Sequence, residues 1–163
     1  APEAGGAQIA LMNPGGVRAA LRPRADGTLA YGDLFAAQPF YNNLVTMTLT
    51  GAELQALLER QWAGQPFPRV LQVSRGFGYR WDAARPPGQR VVPGSLRLHG
   101  RSIAPDEPLR ITVNSFLAGG GDLFDGFKAG RERRTGVMDI DALEAFVRAG
   151  AVVDDAPRIE RLN

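Results

Sequence analysis

The chain has 163 residues, of which 44% are apolar and 22% charged, with a net charge of +2 from 18 Arg and one Lys against 17 acids. That length suits one domain able to close its own hydrophobic core, and the balance is an ordinary globular one. No cysteine is present, which excludes a disulfide framework and a thiolate metal site, and no apolar run approaches the ~18 residues of a membrane span.

Residues 1–7 are small and polar and are expected to fray. They begin Ala1-Pro2-Glu3-Ala4 without Met or a signal peptide, so the chain reads as a segment cut from a longer protein. Gln8 to Met12 reads as a short buried strand, stopped by Asn13-Pro14-Gly15-Gly16. Tyr31 to Ala37 is a short helix, broken at Gln38-Pro39-Phe40. Asn43 to Thr50 is rich in Val, Thr and Leu and alternates, which predicts a strand. The next helix has Thr50 as N-cap with Glu53 three residues on, a capping box. Leu54, Leu57, Leu58 and Trp62 repeat along it at helical spacing.

Val70 to Val73 reads as a strand, Ser74-Arg75-Gly76 as a turn and Phe77 to Asp82 as another strand. Ser95 to Leu98, His99-Gly100-Arg101 and Ser102-Ile103 read as a hairpin. Leu109 to Val113 alternates, with Leu109, Ile111 and Val113 on one face and Arg110 and Thr112 on the other. It feeds directly into Asn114-Ser115-Phe116-Leu117-Ala118-Gly119-Gly120-Gly121-Asp122. The densest basic run, Arg131-Glu132-Arg133-Arg134, carries its own acid and reads as a solvated charged turn. Nucleic-acid binding would want a wider patch with interleaved aromatics, so no nucleic-acid partner is expected. The last helix runs from Asp141 to Arg148, with Asp141 and Glu144 as a capping pattern and Gly150 as its C′ stop. Strands, hairpins and about three helices in this order predict a single α+β domain with a mixed β-sheet, not a βαβ repeat.

The residues offer little for hydrolysis. There is one histidine, His99, in a predicted turn. No HxxxH, DxH or Cys cluster provides metal ligands, and no G-x-S-x-G marks a nucleophile. No catalytic residue and no metal ligand is assigned in this chain.

Three loops carry polar or aromatic groups suited to binding. In Asn13-Pro14-Gly15-Gly16-Val17-Arg18 the glycines admit a ligand close to the backbone, and Asn13 and Arg18 offer donors and an acceptor; a plain turn with a surface Arg is the other reading. Phe40, just after Pro39, is either a core plug or an exposed platform. The run Gly119-Gly120-Gly121 costs chain entropy that a tight turn rarely requires. It serves either close approach to a ligand or a plain loop. Asp122 at its end suits vicinal hydroxyls.

These loops, in this order, resemble the C-terminal domain of the 5′-nucleotidase family. The resemblance rests on Asn13, Gly15, Gly16 and Arg18, on Pro39-Phe40, and on Phe116 ahead of Gly120-Gly121-Asp122. The segments LTGAELQALLE, LQVS and TGVMDIDALEAFV add to it, so it covers roughly residues 8 to 150. It implies that Phe40 and Phe116 sandwich a nucleobase, that Asp122 binds ribose hydroxyls, and that Asn13 and Arg18 hold the base edge, sugar or phosphate. It implies a nucleotide or nucleoside ligand and an N-terminal metallophosphoesterase domain in the same protein, with two divalent metal ions there and no cofactor here. A periplasmic or secreted location follows from the same resemblance. The isolated domain is then expected to bind nucleosides and to lack phosphatase activity. Two other readings remain: the same architecture acting on cyclic nucleotides, nucleotide sugars or sulfur esters, and a non-catalytic nucleoside-binding module. The chain departs from the family pattern at Gly119, at Leu123 where a glycine often stands, and at Arg75 where a glycine is usual.

Overall fold

The computed structural model describes residues 6–150 and 156–163. The first five residues of the expected frayed tail lie outside them. The fold is α+β, with two mixed sheets and four α-helices among the described residues. The strands are β1 (Ile9–Met12), β2 (Asn43–Thr50), β3 (Gln72–Val73), β4 (Phe77–Asp82), β5 (Arg97–Leu98), β6 (Arg101–Ser102), β7 (Pro108–Asn114), β8 (Arg131–Met138) and β9 (Ile159–Leu162). The helices are α1 (Tyr31–Ala37), α2 (Gly51–Glu59), α3 (Ser115–Ala118) and α4 (Asp139–Arg148).

The larger sheet has the order β3-β1-β7-β2-β8 and the smaller one β6-β5-β4-β9. At the centre of the larger sheet, β7 runs parallel to β1 and antiparallel to β2. Its central place explains why its polar face is also buried: Thr112 is paired across the sheet with Thr46 through a 2.7 Å hydroxyl contact. One apolar core joins both sheets. Ile9 and Leu11 of β1, Met47 and Leu49 of β2, Ile111 and Val113 of β7 and Phe77 and Tyr79 of β4 meet the Leu54-Leu57-Leu58 stripe of α2 there.

The capping box at the start of α2 forms as the sequence predicts: Glu53 N–H donates to Thr50 Oγ1 at 3.2 Å, and Thr50 N–H to Glu53 Oε2 at 2.7 Å. Just past the C-terminal end of α2, Gln61 is fully buried and joins three elements. Its amide nitrogen donates to the Leu58 carbonyl and to the Tyr79 hydroxyl, and its oxygen accepts from Leu71 N–H at 2.7 Å. Burial pushes the Tyr79 hydroxyl pKa up. The β5–β6 hairpin turns on His99 and Gly100, both with positive φ (50° and 79°), the signature of a two-residue hairpin loop.

Three sequence expectations change. Arg131-Glu132-Arg133-Arg134 is not a turn: it opens β8, the edge strand beside β2. Its side chains stay exposed, so it shows no apolar alternation, and charges on an edge discourage pairing with other chains. The last helix starts two residues earlier than Asp141, with Met138 at the N-cap and no side-chain cap. The strand expected over Val70 to Val73 is reduced to β3. The Gly150 stop holds, at φ 66°.

Candidate nucleotide-binding cleft

Topology brings the three binding loops to one end of the larger sheet. Because β1 and β7 are parallel neighbours, their C-terminal ends emerge side by side, delivering Asn13 and Asn114. Because β2 is antiparallel to β7, with Leu44 opposite Asn114, its N-terminal end and the Phe40–Asn42 segment before it arrive at the same edge. The result is a cleft of about 340 Å³ lined by Asn13, Gly15, Gly16, Phe40, Asn42, Asn114, Phe116 and Asp122. That volume is within the ~300–1,000 Å³ range of small-molecule sites.

Both aromatic rings are available to a ligand. Phe40 is 48% exposed and Phe116 47% exposed, and no ring–ring contact joins them among the described residues. Phe40 is therefore a platform and not a core plug. Phe116 stands on α3, a single turn whose N-cap Asn114 accepts from Leu117 N–H at 2.8 Å. The glycines divide by role. A Cβ on Gly121 would lie 2.5 Å from the Phe116 ring, so its bareness lets the ring settle there. Gly120 has φ 86°, a left-handed conformation that glycine adopts freely, and it faces Lys128 and Asp125 instead of the cleft. At Gly119 the space for a Cβ is ordinary. In the first loop a Cβ on Gly16 would strike Met12 and Asn13, whereas Gly15 has room.

The polar groups form a chain of hydrogen bonds across the cleft floor. Asn114 Nδ2 donates to Asn13 Oδ1, and Asn13 Nδ2 donates to Asp122 Oδ2, each at 3.0 Å. Asn13 is 5% exposed, and these two bonds tie the first and third loops together. Asn42 Oδ1 accepts from Ser115 Oγ at 3.0 Å. Behind Asn42, burial pushes the Asp139 carboxyl pKa up, partly offset by hydrogen bonds that include Asn42. Arg18 does not line the cleft. Its guanidinium lies 5.9 Å from the Phe40 ring centroid, on the rim. Arg75 is exposed and also outside the lining, so it neither blocks the cleft nor adds to it.

Sequence reading missed Asn42 and Asn114 as lining residues, and Gln65 and Arg69 as partners of Asp122. Asn42 and Asn114 each stand one residue from a predicted strand, which was their available signal. A larger groove of about 530 Å³ runs along α2 past Glu59. Glu59 there accepts from Arg90 and Val91 N–H at 2.9 and 2.6 Å and serves the fold. Among the described residues no group of three His, Asp or Glu side chains converges as metal ligands, and no helix is long and apolar enough to cross a membrane.

Residues 2–129 match the family described as 5′-nucleotidase, C-terminal domain. The chain belongs to the 5′-nucleotidase family. Its relatives align with most of the chain. It is 30% identical to a 5′-nucleotidase of Diplobatis ommata over 89% of this chain and 26% of the relative. It is also 30% identical to a trifunctional nucleotide phosphoesterase of Bacillus subtilis, over 98% of this chain and 11% of that protein. The crystal structure of a 5′-nucleotidase precursor from Thermus thermophilus superposes with a TM-score of 0.79 at 34% identity, covering 98% of this chain and 32% of that one. The chain thus spans about a third or less of each.

Proposed function

We propose that this domain binds the nucleoside part of a nucleotide whose phosphate ester is hydrolysed by a metallophosphoesterase domain, N-terminal in the same exported protein. The observation that carries this is the pair of exposed rings, Phe40 and Phe116, lining one cleft with Asp122. Two aromatic faces suit a flat base, and base–aromatic stacking contributes about 1–3 kcal/mol per base. Asp122 supplies acceptors for vicinal hydroxyls, and Arg18 on the rim is a fork for the phosphate that leaves the cleft. Two divalent metal ions, if held by that other domain, would supply a nucleophilic water and neutralise phosphate charge. Among the described residues no group of three His, Asp or Glu side chains converges to hold them, and the part we assign to this domain is recognition.

Titrating the chain with adenosine while following its amide resonances tests the reading. Shifts should concentrate at Phe40, Asn42, Phe116 and Asp122, and Phe116→Ala should weaken binding roughly tenfold. Shifts elsewhere would remove the assignment. Addition of divalent metal to the purified chain should release no phosphate from AMP; clear turnover would place catalysis in this domain instead. The nucleotide phosphoesterase name of the Bacillus relative favours a nucleotide over a sulfur ester, as the paired rings do. Cyclic nucleotides and nucleotide sugars present the same base and ribose to the cleft, so competition by each against adenosine defines the range.

A further inference from the structure

Asp122 is gripped from outside the cleft by the segment that follows α2. Arg69 Nη1 donates to Asp122 Oδ1 at 2.5 Å, and Gln65 Nε2 donates to the Asp122 main-chain carbonyl at 2.7 Å. Asn13 holds the other carboxylate oxygen, Oδ2, at 3.0 Å. Each oxygen therefore receives one donor from the protein. A carboxylate offers about four acceptor positions, so each oxygen keeps capacity for a ligand. Neither Gln65 nor Arg69 lines the cleft.

Asp122 stands on left-handed backbone, at φ 55° and ψ 27°, a conformation that Asp adopts more readily than most residues with a Cβ because its short side chain can be hydrogen-bonded. Arg69 is itself held. Its guanidinium carbon lies 4.5 Å from the centroid of the Phe67 ring, which is 58% exposed. A stacked guanidinium is restricted in plane and rotation, which a lysine ammonium would not be. The Arg69 and Asp122 side chains are 21% and 19% exposed, so their attraction is screened less than that of a surface pair.

We propose that Arg69 is a positioning residue for sugar recognition: it fixes the Asp122 carboxylate from behind so that both oxygens face the two adjacent hydroxyls of a ribose. This rests on Asp122 being the acceptor for those hydroxyls. Phe67 orients Arg69, and Gln65 secures the backbone on which Asp122 stands. The segment from 65 to 69 is thereby a part of the recognition machinery that touches no ligand.

Calorimetric titration of the chain and of Arg69→Gln and Arg69→Lys with adenosine and with 2′,3′-dideoxyadenosine tests this. The unaltered chain should bind adenosine more tightly than the dideoxy compound. Arg69→Gln should weaken adenosine roughly tenfold, the scale of a charged hydrogen bond, and leave dideoxyadenosine unchanged. Arg69→Lys should fall between. A purely structural role would weaken both ligands alike, and that result, or no loss for either, overturns the proposal. Should Arg69→Gln fail to fold, the same comparison in Arg69→Lys decides. If the unaltered chain does not distinguish the two ligands, the Asp122 reading fails and this one with it. If it does and the Arg69 variants keep that discrimination, only the role of Arg69 is lost.

Discussion

The third loop places two adjacent residues in the left-handed region. Asp122 and Leu123 both have positive φ, 55° and 64°, and the second stands where the family often has glycine. A left-handed conformation costs a residue with a Cβ about 1–2 kcal/mol, and the extra chain freedom of glycine offsets ~0.5–1 kcal/mol of any gain. Leu123 is 46% exposed, so little packing is lost on removing it. Leu123→Gly should therefore raise stability by about 0.5–1 kcal/mol, read as an increase in the urea midpoint; a decrease would show that Leu123 contributes contacts outweighing its strain. Individual residues of the site were legible to different degrees. Phe40, Phe116 and Asp122 line one cleft; their local signals were a Phe directly after Pro39 and a Phe ahead of a glycine run that ends in Asp122. Arg69 and Gln65 carried none. They meet Asp122 across 53 and 57 residues of chain, and nothing in their spacing records that contact. Arg18, Gly120 and Gly121 were expected at the ligand and lie outside the lining.

At the scale of elements, amphipathic segments were readable and edges were not. The α2 helix announces itself through its capping box and leucine stripe, and β2 and β7 through alternation. By contrast β8 lies at an edge with exposed charges, α3 is a single turn, and β9 is a four-residue strand whose partner, β4, precedes it by 80 residues. The hidden strand β8 is nonetheless tied to the obvious helix. Arg131 of β8 donates twice to Glu53 at 2.8 and 2.9 Å. That guanidinium, with the Thr50 N–H, holds the Glu53 carboxyl down at about 2, against an ordinary 4.5. The folded value is depressed, so this contribution is complete above about 4.5 and is lost as pH falls towards about 2. Glu53→Gln should lower the urea midpoint at neutral pH and make its decline towards about pH 3 shallower than in the unaltered chain. Parallel declines would show that this ion pair is screened by solvent and contributes nothing measurable.

For the whole molecule, the α+β class followed from the order of elements, but the division of strands between two sheets did not. That division depends on pairings such as Ile9 with Ile111 and Tyr79 with Ile159, which local periodicity cannot encode. The two sheets share one core, and Gln61 is the polar link between β4, the approach to β3 and α2. Gln61→Leu would leave Leu71 N–H and the Tyr79 hydroxyl buried without it, each costing about 1–3 kcal/mol. A loss of roughly 2–4 kcal/mol in chemical denaturation is the expected outcome, and a loss below ~1 kcal/mol would mean the core readjusts to satisfy both groups. The cleft has a related dependence on the whole. Its walls come from residues 13–16, 40–42 and 114–122, brought together by the pairing of β1, β2 and β7. No partly unfolded form that separates those strands retains a place for the ligand. A bound nucleoside must then act by mass action on the global equilibrium: at a free concentration a hundred times Kd it would add about 2.7 kcal/mol to the stability of every element in the sheet, near or far.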